Sequence, residues 1–190
     1  METGSFDSPS PKELSDWLLA RGRHWVTTAE VAAILGTPED QVRQRLGDLR
    51  KAGKLFSPTR GGYVPIPPEY RNWGAVPASH FIDSMMRHLS HDYYVSLLSA
   101  AELHGAAHQR PQAFQVMTNG RVKDREFGRV RLSFHYGSSV AERQTQAFNT
   151  PTGTMKVSTV ETTVLDLVNL PNEGGGISNV ATIIGELIED

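Results

Sequence analysis

Two histidines four residues apart, His104 and His108, would share one face of a helix and could hold a metal ion between them. A zinc helix of that spacing carries Glu directly after the first His. Here that position is Gly105, which also weakens the helix, and no third ligand is evident. His88, His91 and Asp92 are more loosely spaced and read as the polar end of a helix. Gly137-Ser138 is how a nucleotidyl-transfer motif begins. That chemistry needs paired aspartates to hold Mg²⁺ and orient the phosphoryl group, and no Asp-x-Asp follows. There is no phosphate-cradling glycine loop and no Gly-x-Ser-x-Gly nucleophile elbow. The sequence therefore predicts no enzyme: no catalytic residue, no metal and no cofactor.

The chemistry that remains is recognition. In Thr37–Leu55 the expected helix starts with Thr37 as cap, Pro38 at the first helical position and Glu39 and Asp40 in the first turn. Val42, Leu46 and Leu49 recur at helical spacing as one buried stripe. Gln44, Gly47 and Lys51 lie roughly opposite it, flanked by Gln41 and Arg43, while Arg45 lies nearer the stripe and serves packing. Lys51-Ala52-Gly53 ends the helix with a cation and a glycine stop. In a DNA major groove, Gln pairs bidentately with adenine and Arg with guanine, and Gly47 leaves room for close approach. The plain alternative is a solvated charged face.

The neighbouring elements would position such a helix. Lys12–Arg21 reads as a helix with Leu14, Trp17 and Leu18 on one face. A second helix starts at a capping box, Thr27 with Glu30, and closes at Gly36. After the third helix, Lys54-Leu55-Phe56 and Tyr63-Val64 are strand candidates joined by a tip over residues 57–62. This order is a helix-turn-helix with a trailing hairpin, a winged helix. Thr37 to Gly62 holds Arg43, Arg45, Arg50, Lys51, Lys54 and Arg60 against Glu39, Asp40 and Asp48, a local positive balance in a chain of net charge -2. Phosphate contacts are expected from Thr28 at the second helix start and from Lys54 and Arg60 on the wing. The candidate DNA-binding set is thus Thr28, Gln41, Arg43, Gln44, Lys51, Lys54 and Arg60. Winged helices also serve as protein-interaction modules or general regulators, and that reading stays open.

With 190 residues the chain can hold two small domains. The absence of cysteine excludes disulfides, iron–sulfur centres and Cys-type zinc sites. No N-terminal apolar region and no bilayer-length apolar run are present, so a cytoplasmic protein with no membrane partner is expected. The expected fold class is α+β: a frayed start over residues 1–10, a winged helix over 11–66, a proline-rich linker over 67–76, a mixed α/β domain with a small antiparallel sheet over 77–171, and a glycine-rich hinge leading into a helix over 172–190. In the second domain, Phe81–Leu89 and a segment from Tyr94 to about Gly105 read as helices. Strands are expected around Phe114–Val116, Val130–Phe134 and Met155–Val160, and a helix over Glu161–Leu170 is stopped by Pro171. Arg121, Lys123 and Arg125 alternate, as do Arg129 and Arg131. Paired strands would place them on one face, with Asp124 and Glu126 on the other. That face is either solvated or a contact surface for an acidic partner or nucleic acid.

Two stretches, "YYVSLLSAAELHGAAHQRPQAFQVMT" at Tyr93–Thr118 and "VSTVETTVLDLV" at Val157–Val168, follow the expected winged helix in an order and spacing of their own. Over Lys12 to Leu170 the chain resembles the AbiEi-type antitoxins of prokaryotic toxin–antitoxin pairs. The resemblance implies a repressor that binds double-stranded operator DNA of its own operon, as a monomer or weak dimer. It also implies a partner toxin of nucleotidyltransferase type, countered by contact or through the toxin's target. Val160 stands where the family often has Pro, and the family commonly continues into a longer helical region. Val180, Ile183, Ile184, Leu187 and Ile188 form an apolar stripe on the last helix, which either docks on the second domain or opens a further one. The resemblance favours the further domain, and so a short or truncated member that binds DNA well and neutralises poorly.

Overall fold

The computed structural model describes residues 8–106 and 111–189; His108 and most of the segment expected to fray lie outside them. The chain divides into two compact units, Met1–Pro77 with Phe127–Arg129, and Ala78–Glu126 with Val130–Asp190.

The first unit runs α1 (Leu14–Ala20), β1 (Val26–Thr27), α2 (Thr28–Leu35), α3 (Glu39–Arg45), α4 (Gly47–Lys51), β2 (Leu55–Thr59) and β3 (Gly62–Pro65). Its three strands form an antiparallel sheet in the order β1-β3-β2. Leu14, Leu18, Val26, Val31, Val42, Leu46, Leu49, Leu55 and Tyr63 make one core. The Val42-Leu46-Leu49 stripe is therefore buried as its spacing requires. At α2 both halves of the Thr27–Glu30 capping box are made. Against partial desolvation, the Thr27 N–H and hydroxyl and the Arg23 guanidinium hold the Glu30 carboxyl below its usual range. Gly36 closes α2 in the left-handed region at φ 58°, which turns the chain into α3 without a Cβ penalty.

Three local expectations change. Thr37 does not cap α3: Pro38 is extended at ψ 145°, so the helix begins at Glu39, and the Thr37 hydroxyl is buried without a hydrogen-bond partner. The helix expected as one run to Lys51 is interrupted at Leu46, which lies at the edge of the right-handed region with φ -85° and ψ -1°. The break falls directly before Gly47, a poor helix former with open space where a Cβ would stand. The hairpin tip is tighter than expected, only Arg60-Gly61, because both strands extend inward and β2 is irregular between Phe56 and Thr59. Gly62 in β3 faces the Trp25 ring so closely that a Cβ would overlap it. Pro68–Trp73, within the expected linker, forms a 3₁₀ turn ended by Gly74 at φ 74°.

The second unit contains α5 (Ile82–His88), β4 (Tyr93–Val95), α6 (Leu97–Leu103), β5 (Phe114–Thr118), β6 (Arg125–Phe127), β7 (Val130–Tyr136), β8 (Thr145–Thr150), β9 (Gly153–Ser158), α7 (Val160–Asn169) and α8 (Ile177–Glu189). The domain is mixed α/β as expected, but its sheet has six strands in the order β6-β7-β5-β4-β9-β8. The pairs β4–β5 and β8–β9 are antiparallel, whereas β4–β9 and β5–β7 are parallel. Tyr93–Val95, where a helix was expected to start at Tyr94, is a strand. All three residues are buried between β5 and β9, the setting that suits aromatic and β-branched side chains. α8 buries Val180, Ile183 and Leu187 in one cluster with Leu97 and Ala101 of α6 and Leu167 of α7. Of the expected stripe, Val180, Ile183 and Leu187 dock on α6 and α7 with Ile184 packed against them, while Ile188 stays 71 % exposed. The glycine run, expected as a loose hinge, is a hydrogen-bonded turn: the Gly176 N–H donates to Pro171 O at 2.8 Å and Asn179 Nδ2 to Gly174 O at 2.7 Å. Among the described residues no helix is long and apolar enough to cross a membrane.

Candidate functional site

The surface of α3 is set by its buried side. With Val42 and Leu46 fully buried, Gln41, Arg43, Gln44 and Arg45 are left exposed. Arg45 is not a packing residue: its guanidinium donates to Gln41 Oε1 at 3.4 Å, an exposed i,i+4 pair. Lys51 is exposed at the end of α4. The hairpin tip presents Arg60, exposed beside Gly61 at φ 80°. Thr28 stands at the N-terminus of α2, where its N–H donates to Gly61 O at 2.9 Å, so the helix start and the tip are joined. Lys54 departs from expectation. Its ammonium pairs with Asp16 of α1 at 3.2 Å, and Asp16 also takes Arg71 at 3.1 Å. Lys54 therefore joins α1 to the start of the hairpin.

The basic stretch of the second unit is arranged differently from its alternation. Arg121 and Lys123 are exposed but lie before β6, outside any strand. Arg125 is on β6, and Arg129 is in the turn to β7. Arg131 Nε pairs with Glu126 Oε2 at 3.4 Å, so the two signs share a face. Asp124 does not project away, since its Oδ1 accepts the Phe134 N–H at 2.8 Å and its Oδ2 the Ser133 hydroxyl at 3.4 Å. Alternation predicts facing only where a strand continues, and here β6 begins too late.

His104 serves structure. His104 Nε2 lies 2.8 Å from Ser158 O, and its ring meets Phe148 edge-on at 5.7 Å. Asp92 Oδ2 accepts Asn119 Nδ2 at 3.0 Å in the turn after α5. Among the described residues no group of three or more His, Asp or Glu side chains is placed to hold a metal ion.

One arrangement was not anticipated. A cavity of about 200 Å³ opens in the second unit, lined by Tyr94 of β4, Tyr136 and Gly137 at the end of β7, Arg143 before β8, and Asp166 and Asn169 of α7. Asp166 is only 3 % exposed. Its Oδ1 accepts the Tyr94 hydroxyl at 3.4 Å, and its Oδ2 is buried with no hydrogen-bond partner. Burial pushes its carboxyl up to about 6, although the Tyr94 hydroxyl and the Arg143 guanidinium both pull it back. Burial and the neighbouring carboxylate raise the Tyr94 phenol in turn. Buried, unpaired polar groups with shifted pKa values gather at functional sites, which makes Asp166 a candidate. The signal was available: Asp166 falls three and four residues after Thr163 and Thr162, all on the buried side of α7, while Leu165 and Val168 face outward. An aspartate buried beside Leu167 on the inner side of a helix is the unusual feature, because a buried carboxyl needs a partner or a purpose.

Residues 94–190 match the family described as the AbiEi antitoxin C-terminal domain, a span that takes in every residue lining the cavity. No curated protein matches the chain.

Proposed function

The chain belongs to the AbiEi antitoxin family, and we propose that it acts there as a winged-helix autorepressor that binds operator DNA of its own operon and counters a nucleotidyltransferase-type toxin encoded alongside. The matching family is described as an antitoxin domain, and the match, from residue 94 on, lies almost wholly in the second unit. The observation that carries DNA binding is the face of α3. It presents Gln41, Arg43 and Gln44 to solvent over a fully buried Val42 and Leu46, after a capped α2 and before a tight hairpin. Such a helix fits a major groove about 12 Å wide, and its side chains are of the types that read purine edges. Arg60 on the hairpin tip is suited to phosphate, which positions without specifying. Lys54 pairs with Asp16 and Arg131 with Glu126, both at the surface, so each would share its charge between a carboxylate of the chain and a phosphate.

Gel shifts on the DNA upstream of the operon, at fixed salt, test this reading. Arg43→Ala or Gln44→Ala should cost about 1–3 kcal/mol of binding, concentrated at particular bases. Arg60→Ala should weaken binding to all sequences and lower the salt slope by about one. Unchanged affinity in all three variants sinks the assignment. Rescue from the neighbouring toxin, measured in growth, should survive Arg43→Ala; a joint loss would tie neutralisation to the operator.

A further inference from the structure

We propose that the Asp166 cavity is a binding site for a small planar heterocycle carrying an N–H beside a carbonyl, the N–H donating to Asp166 Oδ2 and the carbonyl accepting from Arg143. This stands on the second unit alone and does not depend on the DNA-binding reading.

Three observations define the occupant. The first is size. At about 200 Å³ the cavity is smaller than the roughly 300–1,000 Å³ of sites for drug-sized ligands, so it takes a ring or a fused ring pair. The second is polarity. Asp166 offers one buried acceptor with nothing bonded to it, while its other oxygen is occupied by Tyr94. Arg143 lines the same space and acts electrostatically on both Tyr94 and Asp166. A cation would satisfy the carboxylate and be repelled by the guanidinium; an anion would do the reverse. A neutral amide edge satisfies both, since it places a donor and an acceptor side by side. The third is the wall. Tyr94, Met117 and Val140 form one buried cluster, and Leu170 packs against it. Tyr136, 61 % exposed, adds an aromatic face where the cavity meets solvent. Apolar walls around a few convergent polar groups are how small-molecule sites are built, and a flat ring is the shape that uses a tyrosine face.

The amide edge has two sources among small molecules: the lactam of a nucleobase, or the carboxamide of a ring such as nicotinamide. Adenine has neither, because its edge carries no carbonyl.

Isothermal titration calorimetry on the full chain, with uridine, inosine and nicotinamide as probes and adenosine as the control, tests the proposal. Binding of uridine or inosine alone identifies the lactam, and binding of nicotinamide alone the carboxamide; either supports the site. Asp166→Asn and Arg143→Gln should each weaken that binding at least about tenfold, because each removes a charge-assisted hydrogen bond. Circular dichroism and thermal melting establish that the variants are folded. A second readout is the ring resonances of Tyr94 and Tyr136, which should shift with the bound probe. No binding by any of the three probes at millimolar concentration leaves the cavity to water and overturns the proposal. So does adenosine binding as well as the others, or binding unchanged in both variants.

Discussion

The face of α3 and the Asp166 cavity are candidate sites of opposite kinds. On α3 the polar side chains are exposed, and the fold is satisfied by Val42, Leu46 and Leu49 beneath them. Any of them can change without cost to the core. In the cavity the polar side chain is itself part of the interior: Asp166 is 3 % exposed and its carboxyl is pushed up to about 6. Recognition on an open surface is nearly neutral to stability, whereas recognition from inside a domain is held against stability. Variants at the two places should therefore move stability and binding in different proportions.

The largest expected effect is at Asp166. A carboxyl whose folded value lies above its unfolded one makes the folded state bind more protons. The penalty of burying the charge is absent below the unfolded value and complete above about pH 6. Asp166→Asn should thus stabilise the chain at pH 8, by on the order of 2–3 kcal/mol, and the gain should vanish by about pH 4. Urea denaturation at pH 8, 6 and 4 reads this directly. A destabilised variant at pH 8 would mean that the carboxylate is held by more than Tyr94, and the contrast would fail.

Gly62→Ala comes next and belongs to neither site. Its new methyl would overlap the Trp25 ring in the first unit, and overpacking of this kind costs about 1–3 kcal/mol. Hydrogen exchange should show faster exchange at amides of β2 and β3 and little change at β4 and β5. Uniform acceleration would show that the two units melt as one.

The smallest effect is at Gly47. Its backbone is not left-handed, and a Cβ there meets nothing. Gly47→Ala should stabilise by about 0.5–1 kcal/mol through helix propensity and a less flexible unfolded chain. A methyl on that face should at the same time weaken operator binding. Opposite signs in melting temperature and DNA affinity are the signature of a surface kept open for approach; a loss of both would make Gly47 a packing residue instead.

What could be read from the sequence follows from the range of the interactions involved. The α2 capping box, the Gly36 turn and the buried stripe of α3 are local, set by residues three or four apart, and the chain carries them openly. The start of α3 was misplaced because Thr37 and Pro38 look like a cap and a first turn, while the extended backbone of Pro38 moves the start to Glu39. The second unit was harder. β4 pairs with β5 and with β9, some sixty residues on, so its three residues carry too little pattern to outweigh a helical reading. β8 was not foreseen at all: Thr145–Thr150 is a largely exposed strand beside β9 with no apolar alternation to mark it. The cavity gathers Tyr94, Arg143 and Asp166 from three separate stretches, and only the fold brings them together. The helical stripe of α8 was legible, but whether it docks depends on α6 and α7.

The break at Leu46 bears on how much α3 can say. Seven residues at about 1.5 Å each span roughly 10 Å, which is about three base-pair steps. A word of three or four letters recurs by chance roughly once every 64 to 256 positions, far too often to mark one promoter in a genome of about a million or more competing sites. If α3 reads DNA, the message is completed by repetition, with several copies of the chain reading several copies of the word. The operator should then be a set of short repeats, and occupancy should rise with protein concentration more steeply than for a single site.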